Sequence, residues 1–316
     1  MRIDRHALKR DARASLRAAK PGAIRVTLIY FLLTSGLSLI AGLFVDNPME
    51  KLQTFVGAGL DPTRALVLAL SGVGVVGLFL NIFLFIFGVA MDYGYTFWIL
   101  GSTRGGIGEY SDLVCGFSVA GRVLLLRVAV MLLQLCWYFA VFVPVALVLY
   151  VAYVFPLLGG LTVIAALVGA VVVFVSQVLR YSLSVYCLID DPDSGVFKAI
   201  GRSRTLMKGN CWSYCKLMLS FFGWYVLEAV IALTAQTAAL LVFGGSGLLA
   251  GLVSGQMEAA ERVASLLSTG VLGVVLSVVP WTLNVWLTPY ITMTEAKFYD
   301  LLRSRQPQES TQYRYQ

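Results

Sequence analysis

The 316-residue chain is short of charge: Asp, Glu, Lys and Arg together make up only 13% of it, while 59% is hydrophobic. A soluble domain of this length needs far more polar surface, so a water-soluble globular fold is excluded. It has a single histidine, His6, and only five cysteines, Cys115, Cys136, Cys187, Cys211 and Cys215. Without a second histidine, the one-turn spacing of Cys211 and Cys215 makes a poor zinc site, and no metal is expected. All five thiols fall in or beside apolar runs, which argues against disulfides. No nucleophile–base pair is visible. Ser246 sits in Gly244-Gly245-Ser246-Gly247, reminiscent of an intramembrane serine protease, but His6 is expected at the opposite membrane face and no lysine is near. No catalytic residue and no cofactor is therefore expected.

What is present is a set of apolar runs near the roughly 20 residues needed to span a bilayer. They predict an all-α membrane protein with six transmembrane helices, over about 26–44, 65–91 (extending toward 100), 123–150, 160–188, 212–243 and 266–292. The chain divides into a basic amphipathic segment at 1–25, the six-helix domain at 26–292 and a tail at 293–316. Of 24 Lys and Arg, all but Lys51, Arg64 and Arg262 fall on one predicted side. The positive-inside rule then puts both termini in the cytoplasm. The net charge of +7 is thus a mark of topology, and no nucleic acid is implied.

Amphipathic helices are expected on that cytoplasmic face. In residues 2–20, Leu8, Ala12, Leu16 and Ala19 recur at helical spacing among seven basic residues, which reads as a retained membrane-surface helix rather than a transit peptide. Tyr110–Phe117 reads as a short surface helix with Ser111 or Asp112 near its start. The stretch 244–265 opens with a glycine-rich helix break and reads as either interfacial or re-entrant. Gly247, Gly251 and Gly255 suit a helix contact. Gly72-Val73-Gly74-Val75-Val76-Gly77 matches a dinucleotide fingerprint in letters only, since it lies in an apolar span and not after a strand.

The fourth and fifth spans are joined by a hinge. Pro192 breaks the helix, and Asp193 is placed to cap the next one. In that next helix Val196, Ile200, Ser203 and Met207 share a face, with Lys198, Arg202, Arg204 and Lys208 opposite or flanking. Two readings stand: capping residues with snorkelling basic heads, or a docking site for lipid headgroups, with Asp190, Asp191 and Asp193 as holders of a cation. Anionic lipid on this face, a protein partner or a second copy of the chain are the expected partners.

Within the membrane, Glu228 stands near the middle of the fifth span. A carboxyl there costs several kcal/mol unless paired, protonated or wetted. It is either part of an ion or proton path or a structural hydrogen-bonding group, for which Asn81, Gln134, Gln177 and Asn284 are candidate partners. Gln177, Arg180 and Ser184 share a face of the fourth span. Arg180 could meet Glu228 or a lipid phosphate, and snorkelling is its default.

The hinge residues Asp191-Pro192-Asp193, Ala199-Ile200, Ser203 and Leu206-Met207-Lys208-Gly209-Asn210 resemble the signature of the DUF975 family, integral membrane proteins found mostly in bacteria. Lys216-Leu217, Leu219-Ser220-Phe221, Gly223-Trp224, Pro289-Tyr290, Ala296, Phe298 and Tyr299 are similar too. So are Glu109, Ser111-Asp112-Leu113 and Gly116-Phe117 upstream. The resemblance spans most of the chain, though 46–64 and 244–265 are long for the family. It implies a multi-pass protein of the bacterial cytoplasmic (inner) membrane and no catalytic residues. Glu228 lies outside its pattern. The function expected is a non-enzymatic scaffold or a protein that binds lipid or a partner; the alternative is a small-solute or ion transporter using an intramembrane carboxylate.

Overall fold

A computed structural model describes residues 4–42, 59–71, 75–154, 159–253 and 270–305, with isolated positions between 52 and 57. Every regular element among them is helical. The amphipathic α1 (Arg5–Ala18) leads into α2 (Ala23–Phe31), which continues through a π-helical turn (Leu32–Gly36) into α3 (Leu37–Gly42). Next come α4 (Pro62–Ser71), α5 (Val75–Thr103), a 3-10 segment (Tyr110–Phe117), α6 (Ala120–Val154) and α7 (Gly159–Leu179). The short α8 (Ser184–Asp190) and α9 (Val196–Met207) form the hinge. The last described elements are α10 (Cys211–Leu219), α11 (Phe222–Val253) and α12 (Gly270–Arg305).

Five stretches among the described residues are long and apolar enough to cross a membrane: Ala23–Ala41, Gly77–Thr103, Ala120–Tyr150, Val163–Asp190 and Cys211–Ala235. Their apolar side chains point largely outward. Leu132, Val143, Leu147, Val172 and Leu233 are each more than half exposed. Contiguous bare apolar surface on this scale needs lipid to cover it.

The protein-buried core lies instead at one end of the bundle, here named the basic end because Arg104, Arg122 and Arg303 gather there. Trp98, Ile99 and Leu100 of α5, Leu188 of α8, and Phe298, Tyr299 and Leu302 of α12 are buried together. Helix α1 joins this core through Leu8 and Ala12, and packs along α12. Its cations reach onward. Lys9 Nζ donates to the carbonyl of Ser220 at 3.1 Å and lies over the Phe221 ring. Arg5 reaches the carbonyl of Lys216. Both carbonyls belong to the end of α10, where the last C=O groups take further donors; that of Lys216 also accepts from Ser220 N at 3.2 Å.

Several elements differ from expectation. The fourth span is not continuous: α7 stops at Leu179, residues 180–183 form a turn, and α8 resumes at Ser184. The fifth span is likewise interrupted, at Ser220 and Phe221. By contrast Gly244-Gly245-Ser246-Gly247 does not break the helix, because α11 runs on to Val253. Glycine lowers helix propensity by only about 1 kcal/mol per residue, less than a long helix can absorb. Asp193 does not cap α9. It lies in a 3-10 turn (Pro192–Ser194), and the cap position is Gly195, whose φ of 85° suits glycine. Residues 155–158 between the third and fourth predicted spans, Gly72 to Gly74, Gly255 and the stretch 254–269 lie outside the described residues.

The 3-10 segment is not a free surface helix but docks on α5. Glu109 caps it reciprocally with Asp112, whose carboxylate accepts from Glu109 N at 2.8 Å. Gly94 of α5 faces the carbonyl of Leu113, and Gly116 faces the carbonyl of Ala90, so closely that a β-carbon at either would collide with backbone. Gly94→Ala and Gly116→Ala should each cost about 1–3 kcal/mol through forced separation of segment and helix. Gly88→Ala, with open space around it, should leave the melting temperature of the detergent-solubilised protein unchanged or raise it.

Candidate functional site

The hinge is organised by one carboxylate. Asp190 ends α8 with its side chain only 5% exposed. Arg104, just past the end of α5, grips it with two nitrogens at 2.7 and 3.2 Å. Arg303 of α12 approaches at 2.7 Å, and Tyr299 donates its hydroxyl at 2.7 Å. The same Arg104 holds Asp300 at 2.6 Å. Fork-like guanidinium geometry suits this bridging of two carboxylates. Lys297 adds a bond to the Thr103 carbonyl. Three segments distant in sequence are thereby clamped together.

The hinge aspartates therefore do not converge on a cation. Asp190 is occupied by cationic partners and a hydroxyl, and Asp193, with a 91% exposed side chain, pairs loosely with Arg122 at 3.3 Å. Among the described residues no group of three His, Cys, Asp or Glu assembles a metal site. The apolar face of α9 is not offered to lipid either. Val196, Ala199, Ile200, Leu206 and Met207 are buried in the protein core, and Ser203 Oγ donates to the Arg180 carbonyl at 2.8 Å. Lys198, Arg204 and Lys208 remain exposed and Arg202 is half-buried, so the cationic face looks outward, together with the exposed ring of Phe197.

Deeper in the bundle, Asn284 of α12 donates to Glu228 of α11 at 2.6 Å. The other three candidate partners point elsewhere. Asn81 donates to its own helix at the Gly77 carbonyl, Gln177 accepts from Arg180 at 3.1 Å, and Gln134 lines a cavity between α5, α6 and the 180–183 turn. Arg180 is thus satisfied within its own segment and not by Glu228.

Two features escaped sequence reasoning. The first is Glu295 of α12, three residues past the predicted end of the sixth span. It accepts from Tyr214 at 2.9 Å and from Tyr186 at 3.4 Å. Its side chain keeps some accessibility, yet dense protein surrounds it, and this burial pushes its pKa above the usual 4.5 despite the two tyrosine hydroxyls. The only sequence signal was an acid among apolar and aromatic neighbours, Met293, Ala296, Phe298 and Tyr299. The second is a groove of about 580 Å³ between α1, α2 and α12. Arg13, Arg17 and Arg25 line it, with Leu16, Ile24 and Trp286 as apolar wall. Arg13 is fixed there by a 3.1 Å bond to Tyr290 Oη. The three arginines were visible in sequence; their convergence beside Trp286 of the last helix was not.

Asp190→Ala should destabilise by about 1–3 kcal/mol, because Arg303 and Tyr299 lose their partner and Arg104 keeps only Asp300. Asp193→Ala should change stability by less than about 0.5 kcal/mol, as exposed pairs do. Thermal unfolding in one detergent compares the two. For Glu295 the folded state holds its proton more tightly than the unfolded chain, so its ionisation costs stability as pH rises above 4.5. The melting temperature of Glu295→Gln relative to the unmodified protein should therefore climb between about pH 4 and about pH 8. A constant difference across that range would contradict the burial argument.

No curated protein and no solved structure matched the chain. A family profile does, and it covers the hinge, the clamp residues and all five apolar spans. With residues 1–306 matched, the chain belongs to the family described as "Protein of unknown function (DUF975)".

Proposed function

We propose that this is a six-span protein of the bacterial cytoplasmic membrane, both termini inside, which works without catalysis by holding anionic phospholipid at its basic end. Helix α12 (Gly270–Arg305) would supply the sixth span. The charge asymmetry of the sequence supports this orientation.

The groove of Arg13, Arg17 and Arg25 carries the lipid reading. Arg25 lies in the first turn of α2, where a membrane-crossing stretch begins, so its guanidinium sits at headgroup depth. Trp286, 39% exposed, supplies the amphipathic ring favoured at the interface. Arginines at this depth bind lipid phosphate in bidentate fashion, and Leu16 and Ile24 offer apolar surface to the acyl chain's upper carbons. The exposed cations of α9, Lys198, Arg204 and Lys208, extend the positive surface for headgroups or an acidic protein partner. The Glu228–Asn284 bond favours a structural role for that carboxyl, which weakens a transport path through it.

Native mass spectrometry of the detergent-solubilised chain tests the groove. Phosphatidylglycerol should be retained in preference to phosphatidylcholine. In Arg17→Gln/Arg25→Gln its affinity should fall roughly 30-fold, at about 1 kcal/mol per lost cation. Equal retention of both lipids, or no change in the double variant, would overturn the reading.

A further inference from the structure

A second site lies apart from the lipid groove and rests on different observations. A cavity of about 170 Å³ opens between α5, α6 and the interrupted fourth span. Asp92 enters it from α5, Arg127 and Gln134 from α6, and Ser182 from the turn. We propose that it binds one small zwitterion of α-amino-acid size, with the ligand's anionic group on Arg127 and its cationic group on Asp92.

The backbone gives the first reason. A transmembrane helix is interrupted at a cost, and such breaks persist where the freed backbone lines a cavity or is buried in protein. Residues 180–183 close into a tight turn, with Tyr181 N bonded to the Val178 carbonyl and Ser182 N to that of Leu179. That turn forms one wall of the cavity. Both other walls come from uninterrupted helices, so the break is local to the site.

The charges give the second. Asp92 lies 11 residues before Thr103 and Arg127 seven residues after Ala120, so both sit about 10–16 Å along spanning helices. Ionised groups at such depth are costly, and direct pairing would relieve both. They share one cavity but do not approach within the 4.0 Å of an ion pair. Asp92 accepts from Tyr30 through Oδ1 at 2.9 Å, while Oδ2 accepts no hydrogen bond among the described residues. Arg127 and Gln134 make no side-chain hydrogen bond among the described residues, and Asp92 and Arg127 are both accessible. A molecule with both charges completes both at once, and one with a single charge leaves the other side chain uncompensated.

The volume gives the third. A protein cavity of about 150 Å³ is known to accommodate benzene, so this space has the size of one small solute of that order. Val123 and Val130 line it and supply an apolar face for a short side chain.

The experiment is a thermal-shift titration of the full chain in detergent with each of the twenty standard α-amino acids. At least one should raise the melting temperature saturably. Its N-acetyl derivative, anion only, and its methyl ester, cation only, should each bind at least tenfold more weakly. Asp92→Asn and Arg127→Gln should abolish the shift, whereas Glu228→Gln should retain it. Absence of a shift from all twenty would overturn the proposal, as would an N-acetyl derivative that binds as well as its parent. The derivative comparison uses the unmodified protein, so it decides the matter even if a variant fails to fold. Retention of phosphatidylglycerol is read separately, which keeps failure of this site distinct from failure of the lipid groove.

Discussion

The bidentate grip of Arg104 on Asp190 is the contact on which the basic end depends. Ordinary helix–helix packing in a membrane lacks a hydrophobic driving force, because lipid is as apolar as the side chains it would replace. Among the described residues the spanning segments expose most of their apolar surface, and the packed core gathers at one end. A charged clamp set against that core binds α5, α8 and α12 where dispersion alone would hold them loosely. Tyr299 ties the two kinds of interaction together: its ring stacks on Tyr186 inside the core, and its hydroxyl completes the coordination of Asp190.

The clamp also gives the hinge a different meaning. In sequence Asp190 and Asp193 were both candidate cation holders, with Asp193 also placed to cap a helix. One is buried and triply partnered; the other, Asp193, lies out in solvent beside Arg122. The amphipathic α9 follows the same logic. Its apolar face is committed to the protein, so its cations are held outward on a rigid support rather than on a helix free to roll into the bilayer. Surface charge fixed this way presents a defined pattern to headgroups, and defined patterns discriminate better than mobile ones.

Much of the architecture was legible in the residues. The apolar runs, the hinge proline and the short helix after Glu109 all have local causes, and the family signature lies in the same local stretches. Asn284 was reachable as a partner of Glu228 because few polar side chains share the membrane interior. What was not legible depends on long-range pairing. Arg104 to Asp300, Tyr214 to Glu295 and Arg13 to Tyr290 each join segments 81 or more residues apart, and no periodicity reports such partners. Asp92 was hidden for a related reason. It stands just past residue 91, where the second span is predicted to end, and its meaning appears only when Arg127 and the 180–183 turn come to face the same space. The broken fourth span carries no proline or glycine at the break, so nothing local announced it.

The contact of α1 with α12 has a consequence for biosynthesis. Helix α1 leans on α12, which emerges some 250 residues later, on the order of tens of seconds at ordinary elongation rates. During that interval Leu8 and Ala12 have no α12 to cover them, and Asp190 has neither Arg303 nor Tyr299. The nascent chain thus carries an exposed apolar stripe and an incompletely countered acid until α12 arrives. A ribosome stalled before α12 leaves a product whose unfinished state is displayed at the basic end.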